Sequence, residues 1–301
     1  MQFDFGEIFS RAWQITWKNK ALWVLTALPI LVVFLIFPLM FIPIFIGGSN
    51  PRQLSGLFEN PVFILIIILF EVFIIVAGTI LQIVSRSSVT LGVLRAEEGI
   101  QPVTFMDLLK DGFQYFWRML GVFALINVSV GLIFSAFFAC ALALILVTVG
   151  MGAICLQPVF ILMTPLSLLL ISFLEQAEAA VVADGMGVMD AVKRAYELVK
   201  TNIWKYALIT IVIYFGMTIL TSFLMFPIMI PFFAFSFANI NSEAHLRNII
   251  WAPILFSLAL MPVIALVQGV AMTYLKSSLM ITYLRLTRGV EARPELQETV
   301  S

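Results

Sequence analysis

Charge is scarce in this sequence. Only 11% of its 301 residues are Asp, Glu, Lys or Arg, whereas 62% are hydrophobic and the mean hydropathy is +1.08. A soluble domain carries roughly 25% charged residues, so a chain this apolar cannot cover its surface for water and needs lipid as its solvent. The formal net charge is +0, and because the sequence has no basic patch we predict no nucleic-acid partner.

Side chains that build catalytic and metal sites are also scarce. His245 is the single histidine, and the two cysteines, Cys140 and Cys155, lie inside apolar runs without the spacing of metal ligands. Enzymes usually cluster His, Cys, Asp or Glu in a pocket, and the sequence contains neither an HExxH motif nor a glycine-rich phosphate loop. We therefore predict no catalytic residue, no metal site and no cofactor.

Long apolar runs, in contrast, are abundant, and they predict six transmembrane helices. A helix needs about 20 apolar residues to cross the hydrocarbon core. The runs lie at about 22–46, 61–84, 120–147 and 153–174, within 206–242 and within 249–275. The third and fourth runs are separated at Gly150-Met151-Gly152, because the charge-free stretch that contains them is far too long for one crossing. The predicted fold class is an all-α integral membrane protein.

Lysine and arginine are distributed very unevenly over the segments that join these runs. Of the 17 such residues, only Arg52 and Arg247 fall in the loops on one side. The other 15 fall in residues 1–20, 85–118 and 175–205 and in the tail from residue 276. Cytoplasmic loops carry an excess of Lys and Arg. We therefore predict a multi-pass protein of the cell membrane with both the N- and the C-terminus in the cytoplasm.

Three segments that precede the odd-numbered runs are similar to one another. They read DFGEIFSRAWQITWK from Asp4, TFMDLLKDGFQYFWR from Thr104 and GVMDAVKRAYELVKT from Gly187. Each has an acidic residue at its fourth position and a small residue followed by an aromatic one at its ninth and tenth positions. The apolar positions follow a helical period, so we predict three amphipathic helices at the cytoplasmic interface. Asp4 and Thr104 are expected to cap two of them.

The segments that follow the even-numbered runs also repeat. RSSVTLGVLRAEEG begins at Arg86 and KSSLMITYLRLTRG begins at Lys276, while a weaker third copy contains ADG at 183–185. We predict that each even-numbered helix continues into the cytoplasm and ends at a glycine. These glycines are Gly99, Gly185 and Gly289. The chain is then one membrane domain, residues 1–301, with internal repeat units of about 1–99, 100–186 and 187–289 and a short tail, 290–301.

Glu71 is the one ionisable residue deep inside a predicted transmembrane helix. A charge at that depth costs about 2.5–3.5 kcal/mol on insertion scales, so we expect Glu71 to face the interior of the helix bundle. Aligning the even-numbered helices sets Glu71 against Gln157, which makes these two residues a candidate intramembrane polar site. Two interpretations stay open: a proton, cation or head-group site, and a buried carboxyl group that only stabilises the bundle.

Two stretches carry a resemblance to a known group of proteins. They are GEIFSRAWQITWKNKALWVL from Gly6 and GVMDAVKRAYELVKTNIWKYALI from Gly187. Their hydrophobic and aromatic patterning resembles uncharacterised prokaryotic six-span membrane proteins, which are similar to the glycerophosphoryl diester phosphodiesterase membrane domain family. That resemblance implies a six-span membrane domain. It carries over no catalytic residue and implies no phosphodiesterase activity.

Three classes of function follow from this pattern. The leading hypothesis is a non-enzymatic membrane protein that handles or transports lipid or another amphipathic molecule. The alternative is a membrane scaffold that docks a soluble protein partner through its cytoplasmic helices, and an intramembrane enzyme is the least favoured class. A cavity that reaches Glu71 would favour lipid handling, whereas a tightly packed interior with an exposed apolar cytoplasmic patch would favour the scaffold.

Overall fold

The computed structural model describes residues 4–36, 60–100, 104–148, 150–236 and 243–288. These residues are helical except at turns and helix ends. The helices are α1 (Phe5–Lys18), α2 (Lys20–Ile36), α3 (Pro61–Glu97), α4 (Phe105–Phe113), α5 (Phe116–Val147), α6 (Gly152–Ala183), α7 (Val188–Thr201), α8 (Ile203–Ser236) and α9 (Glu243–Arg288).

Five of the described helices are long and apolar enough to cross a membrane. The qualifying ranges are Pro61–Glu97, Phe116–Val147, Leu156–Ala183, Ile203–Phe223 and Leu260–Arg288. The chain therefore has the helices of a multi-pass membrane protein. The first predicted transmembrane helix, 22–46, begins in α2. The range Lys20–Val32 of α2 is also apolar, but it is shorter than the five helices above. Residues 37–46 lie outside the part of the chain that the structure describes.

Glycines end two of the long helices. Gly99 follows α3 with φ +78° and Gly185 follows α6 with φ +64°, a left-handed conformation that glycine adopts without strain. The predicted extensions of these helices past residues 84 and 174 are therefore confirmed. The predicted turn between α5 and α6 is also confirmed, since Gly150 has φ +91° there. Gly289 lies outside the described residues.

The three short helices begin close to the predicted positions. The Asp4 side chain caps α1 by accepting hydrogen bonds from the backbone N–H groups of Gly6, at 2.8 Å, and Glu7, at 3.3 Å. Thr104 is the N-cap residue of α4, as expected, but the expected side-chain cap is wrong because its side chain makes no cap hydrogen bond. The segment 104–118 is also not one helix: α4 ends at Phe113, a turn follows, and α5 begins at Phe116.

The buried residues of the long helices are concentrated toward one end of the molecule. Burial on α3 begins at Ile83 and includes most residues up to Ala96, whereas none of residues 61–82 is buried. Burial on α6 and α9 is densest at 172–182 and 271–284. The helices α3, α6 and α9 contact one another pairwise. They form a central triangle around which the other helices pack.

Each short helix packs on one member of this triangle. Helix α4 contacts α3, α7 contacts α6, and α1 contacts α9. The buried positions of the short helices include the fifth and ninth of the aligned segments: Ile8 and Ala12, Leu108 and Gly112, Ala191 and Ala195. The aromatic residues at the tenth position are exposed: Trp13, Phe113 and Tyr196.

The contact between α3 and α4 is especially close. The Ser87 hydroxyl donates a hydrogen bond to the Gly112 carbonyl oxygen at 2.9 Å. A Cβ atom added at Gly112 would lie 2.9 Å from the backbone Cα and N of Ser88. Only glycine fits at this position without a shift of one backbone, so Gly112 fixes how closely the short helix approaches the long one.

Candidate functional site

A buried ion cluster lies where α3, α6 and α9 meet. Arg86 of α3 donates to Glu175 Oε1 at 2.9 Å through Nη2 and to Glu178 Oε1 at 2.5 Å through Nε. Lys276 Nζ of α9 donates to Glu175 Oε2 at 2.6 Å and to Glu178 Oε2 at 2.9 Å. Both carboxylates belong to α6, and each one bridges the two cations. The cluster is therefore a closed ring with no net charge.

The burial of the cluster makes these contacts energetically important. The side chains of Glu178, Lys276, Glu175 and Arg86 are 1%, 8%, 9% and 18% exposed. Ion pairs away from water are weakly screened, and removal of one partner leaves an uncompensated charge. All four carboxylate oxygens bind a cation, so the ring joins the three helices and offers no free oxygen to a metal ion. Elsewhere in the described chain, too, no group of three or more metal-ligating side chains is found.

Uncharged hydrogen bonds extend the cluster to a fourth helix. The Gln176 amide of α6 donates to the Leu279 carbonyl oxygen of α9 at 3.1 Å. Its own oxygen accepts a hydrogen bond from the Tyr206 hydroxyl of α8 at 3.0 Å. The hydroxyls of Ser172 and Thr210 lie 2.5 Å apart and form a second link between α6 and α8. All these side chains are buried, so their polar groups depend on hydrogen-bonding partners within the protein.

Partly exposed ion pairs join the short helices to the ends of the long ones. Helix α1 pairs with two long helices, through Arg11 to Glu97 at 2.8 Å and through Glu7 to Arg285 at 2.7 Å. Each of these pairs is partly open to solvent and contributes little by itself. Together they place α1 between the ends of α3 and α9.

An apolar groove opens between α2, α3 and α4. Its volume is about 720 Å³. It is lined by Val32, Ala77, Ile80, Leu81, Val84, Met106, Leu109, Lys110 and Phe113. Lys110 is the single charged residue of this lining, and its side chain is exposed. The groove therefore combines an apolar wall on two long helices with one cation on the short helix.

The structure corrects the prediction for Glu71. Its side chain is exposed on the surface of α3, and the side chain of Gln157 is exposed on α6. No hydrogen bond joins these two residues, both of which the structure describes. The prediction that Glu71 faces the bundle interior is wrong because α3 buries residues only from Ile83 onward. A functional role for Glu71 and Gln157 as a polar site stays a prediction.

Sequence reasoning missed the two carboxylates of the ion cluster. Neither Glu175 nor Glu178 is among the candidate site residues that the sequence indicated. One signal was present in the aligned segments. Arg86 and Lys276 occupy the same aligned position, and the third segment has acidic residues near that position. Acidic and basic residues at equivalent ends of neighbouring helices can form ion pairs. A comparison of the charged residues at these helix ends would have identified the cluster.

Comparison with family models, curated proteins and solved structures returned no match. The family resemblance of the sequence therefore stays a prediction.

Proposed function

We propose that the chain is a six-span membrane protein that holds a lipid or another amphipathic molecule in the groove between α2, α3 and α4. The observation that carries this proposal is the groove itself, with eight apolar residues and Lys110 in its lining. Binding pockets for small molecules are mostly apolar, with a few polar groups that orient the ligand. An apolar groove that ends at a cation fits a molecule with an apolar tail and a polar head.

The proposal includes three repeat units arranged around an axis near the membrane normal. Its support is a cyclic pattern of contacts. Helices α4 and α5 of the second unit contact α3, helices α7 and α8 of the third contact α6, and helices α1 and α2 of the first contact α9. The last of these contacts closes the ring, as three equivalent units around one axis would do. Parallel repeats that all start on one side of a membrane are related by such an axis.

The sixth transmembrane helix and the orientation rest on the sequence. Helix α2 is apolar from Lys20 to Val32, and the apolar run continues to residue 46. The 15-to-2 distribution of Lys and Arg places both termini and the three short helices on the cytoplasmic side. In this orientation the Lys110 end of the groove lies at the cytoplasmic surface, where a lipid head group would be found.

Lipid binding in the groove can be tested by filling the groove with a large side chain. Trp at Ala77 would occupy the groove between α2 and α3, whereas Trp at Ala124, an exposed alanine of α5, would not. Each protein is purified into lipid nanodiscs, and the lipids that remain bound after detergent washing are counted by native mass spectrometry. We expect Ala77→Trp to lose one retained lipid per chain and Ala124→Trp to keep it. Ile80→Trp provides a second groove variant if Ala77→Trp folds poorly, and unchanged lipid retention in both groove variants would reject the proposal.

The scaffold remains a second candidate because the short helices and the residues after them expose apolar side chains. Those with the largest exposed fractions include Trp13, Trp17, Met106, Phe113, Trp117, Met189, Tyr196 and Trp204. Tryptophan and tyrosine are enriched where a membrane meets water, which favours contact with lipid head groups over contact with a protein. Quenching of tryptophan fluorescence by lipids brominated near the head group separates the two candidates. Efficient quenching supports the lipid contact, and its absence supports the scaffold.

A further inference from the structure

Lys110 has no ionic partner in the described part of the chain. The nearest acidic residue in sequence, Asp111, is paired with Arg95 at 2.5 Å. Asp107, one helical turn away, is exposed and forms no ion pair with Lys110. The ammonium group of Lys110 is therefore free to contact a ligand at the groove.

The groove differs from the equivalent place beside α1. In the repeat alignment, Ser10 takes the position of Lys110, and Tyr274 takes the position of Val84. The Tyr274 ring packs edge-on against Trp13 with ring centroids 5.9 Å apart, and its hydroxyl lies 3.5 Å from the Phe9 carbonyl oxygen. A large ring thus occupies the place where Val84 leaves space, and a neutral serine replaces the cation. Compared with the place beside α1, the groove beside α4 therefore has both space and a cation.

Acyl chains alone cannot make such a groove selective in a membrane. The surrounding lipid tails are as apolar as the groove wall, so a chain gains little when it leaves the bilayer for the groove. Selectivity must therefore come from the polar end of the ligand. At that end the structure provides one ammonium donor, which forms charge-assisted hydrogen bonds with phosphate oxygens.

We infer that the groove selects an anionic phospholipid, with one acyl chain along α3 and the phosphate on the Lys110 ammonium group. The inference rests on the proposed function, since it names the class of molecule that the groove holds. A lipid with a net negative charge is favoured over a zwitterionic one because the choline group of the latter opposes the attraction to Lys110. The exposed carboxylate of Asp107 has the same sign of charge as an anionic head group and therefore limits this preference. Asp107→Asn should strengthen the preference for the anionic lipid.

The test measures head-group preference in nanodiscs that contain equal amounts of phosphatidylglycerol and phosphatidylcholine. In the wild-type protein we expect the retained lipid to be enriched in phosphatidylglycerol. Lys110→Gln should reduce the ratio of the two retained lipids by about fivefold, the effect of one lysine near an anionic head group. Lys110→Arg should keep the ratio because it keeps the positive charge. Lys193→Gln is the matched control, since Lys193 is exposed and occupies the aligned position on α7.

The outcomes separate this inference from the proposed function. If Ala77→Trp loses the lipid and Lys110→Gln leaves the ratio unchanged, the groove holds lipid but does not select its head group, and the inference is overturned. An equal decrease in Lys110→Gln and Lys193→Gln would also overturn it, because a general surface charge would explain the preference. If Ala77→Trp and Ile80→Trp both keep the lipid, the proposed function itself fails.

Discussion

The two ends of the helix bundle differ in composition and in burial. The packed end comprises residues 83–96 of α3, 172–182 of α6 and 271–284 of α9, together with the three short helices. The open end comprises residues 61–82 of α3, 127–140 of α5 and 214–223 of α8, none of which is buried. The open end is rich in large aliphatic and aromatic side chains that are not buried. The packed end buries aliphatic side chains of its own together with serine, threonine, alanine, glycine and the four-residue ion cluster.

This difference shows what holds the helices together. If lipid surrounds the open end, association of its apolar side chains gains little, because lipid tails are as apolar as leucine. Close packing, hydrogen bonds and ion pairs must then hold the helices together, and the packed end contains all three. The most hydrophobic part of the chain is therefore not its core. Substitutions at the packed end should therefore change the free energy of unfolding more than substitutions at the open end.

The largest effect is expected at Glu178. Glu178→Ala removes a carboxylate that binds both Arg86 and Lys276 and leaves the cluster with a buried excess positive charge. We expect a loss of about 3–5 kcal/mol in the free energy of unfolding, measured by steric trapping in bicelles. Glu197→Ala, on the exposed face of α7, is the control and should have little effect. A small loss at Glu178 would mean that water reaches the cluster.

A smaller effect is expected at Gly112. Gly112→Val places a Cβ atom 2.9 Å from the backbone of Ser88 and forces α4 away from α3. Overpacking of this kind costs about 1–3 kcal/mol, which the same unfolding measurement would detect. Gly131→Val is the matched control at the open end, where an added Cβ meets no atom within 4 Å. Equal effects of the two substitutions would contradict the close contact between α3 and α4.

The hydrogen bond between Tyr206 and Gln176 is expected to contribute less. Tyr206→Phe keeps the ring but removes the hydroxyl that donates to the Gln176 side chain at 3.0 Å. The expected loss in the free energy of unfolding is about 1 kcal/mol, which is the net contribution of one buried hydrogen bond. The control is Tyr196→Phe. Because Tyr196 is exposed, this substitution should leave the free energy of unfolding unchanged. No difference between the two variants would indicate that Gln176 finds another donor.

The smallest effect is expected at Glu71. Because its side chain is exposed, Glu71→Leu leaves no buried partner unpaired, and the free energy of unfolding should change by less than about 0.5 kcal/mol. Glu71→Gln is the shape-matched comparison and should behave in the same way. A loss of more than 1 kcal/mol in the leucine variant alone would show that the carboxyl group has a partner, which restores the bundle-facing interpretation from the sequence.

The sequence predicted much of the fold because its main rules concern length and local conformation. Apolar runs located the long helices, and glycines located the turns at Gly99, Gly150 and Gly185. Similar segments located the three short helices. Each of these features depends on residues close together in the chain, which is why a single sequence contains enough information to find them.

The candidate site was predicted less well because it depends on contacts between distant residues. Arg86 and Lys276 lie 92 and 98 positions from Glu178, and no local pattern shows that they meet. The orientation of Glu71 was missed for another reason. The first part of α3 is apolar around its whole circumference, so it has no periodicity that would indicate which face is buried.

The neutral ion cluster of Arg86, Glu175, Glu178 and Lys276 joins α3, α6 and α9. A double-mutant cycle with Glu178→Leu and Lys276→Met measures how strongly two of its members stabilise each other. Each single variant leaves one buried charge uncompensated, whereas the double variant leaves Arg86 and Glu175 as a neutral pair at 2.9 Å. We expect the double variant to be more stable than the sum of the two single losses implies, by about 0.5–3 kcal/mol. Additive losses would contradict it, because they would show that Glu178 and Lys276 do not stabilise each other.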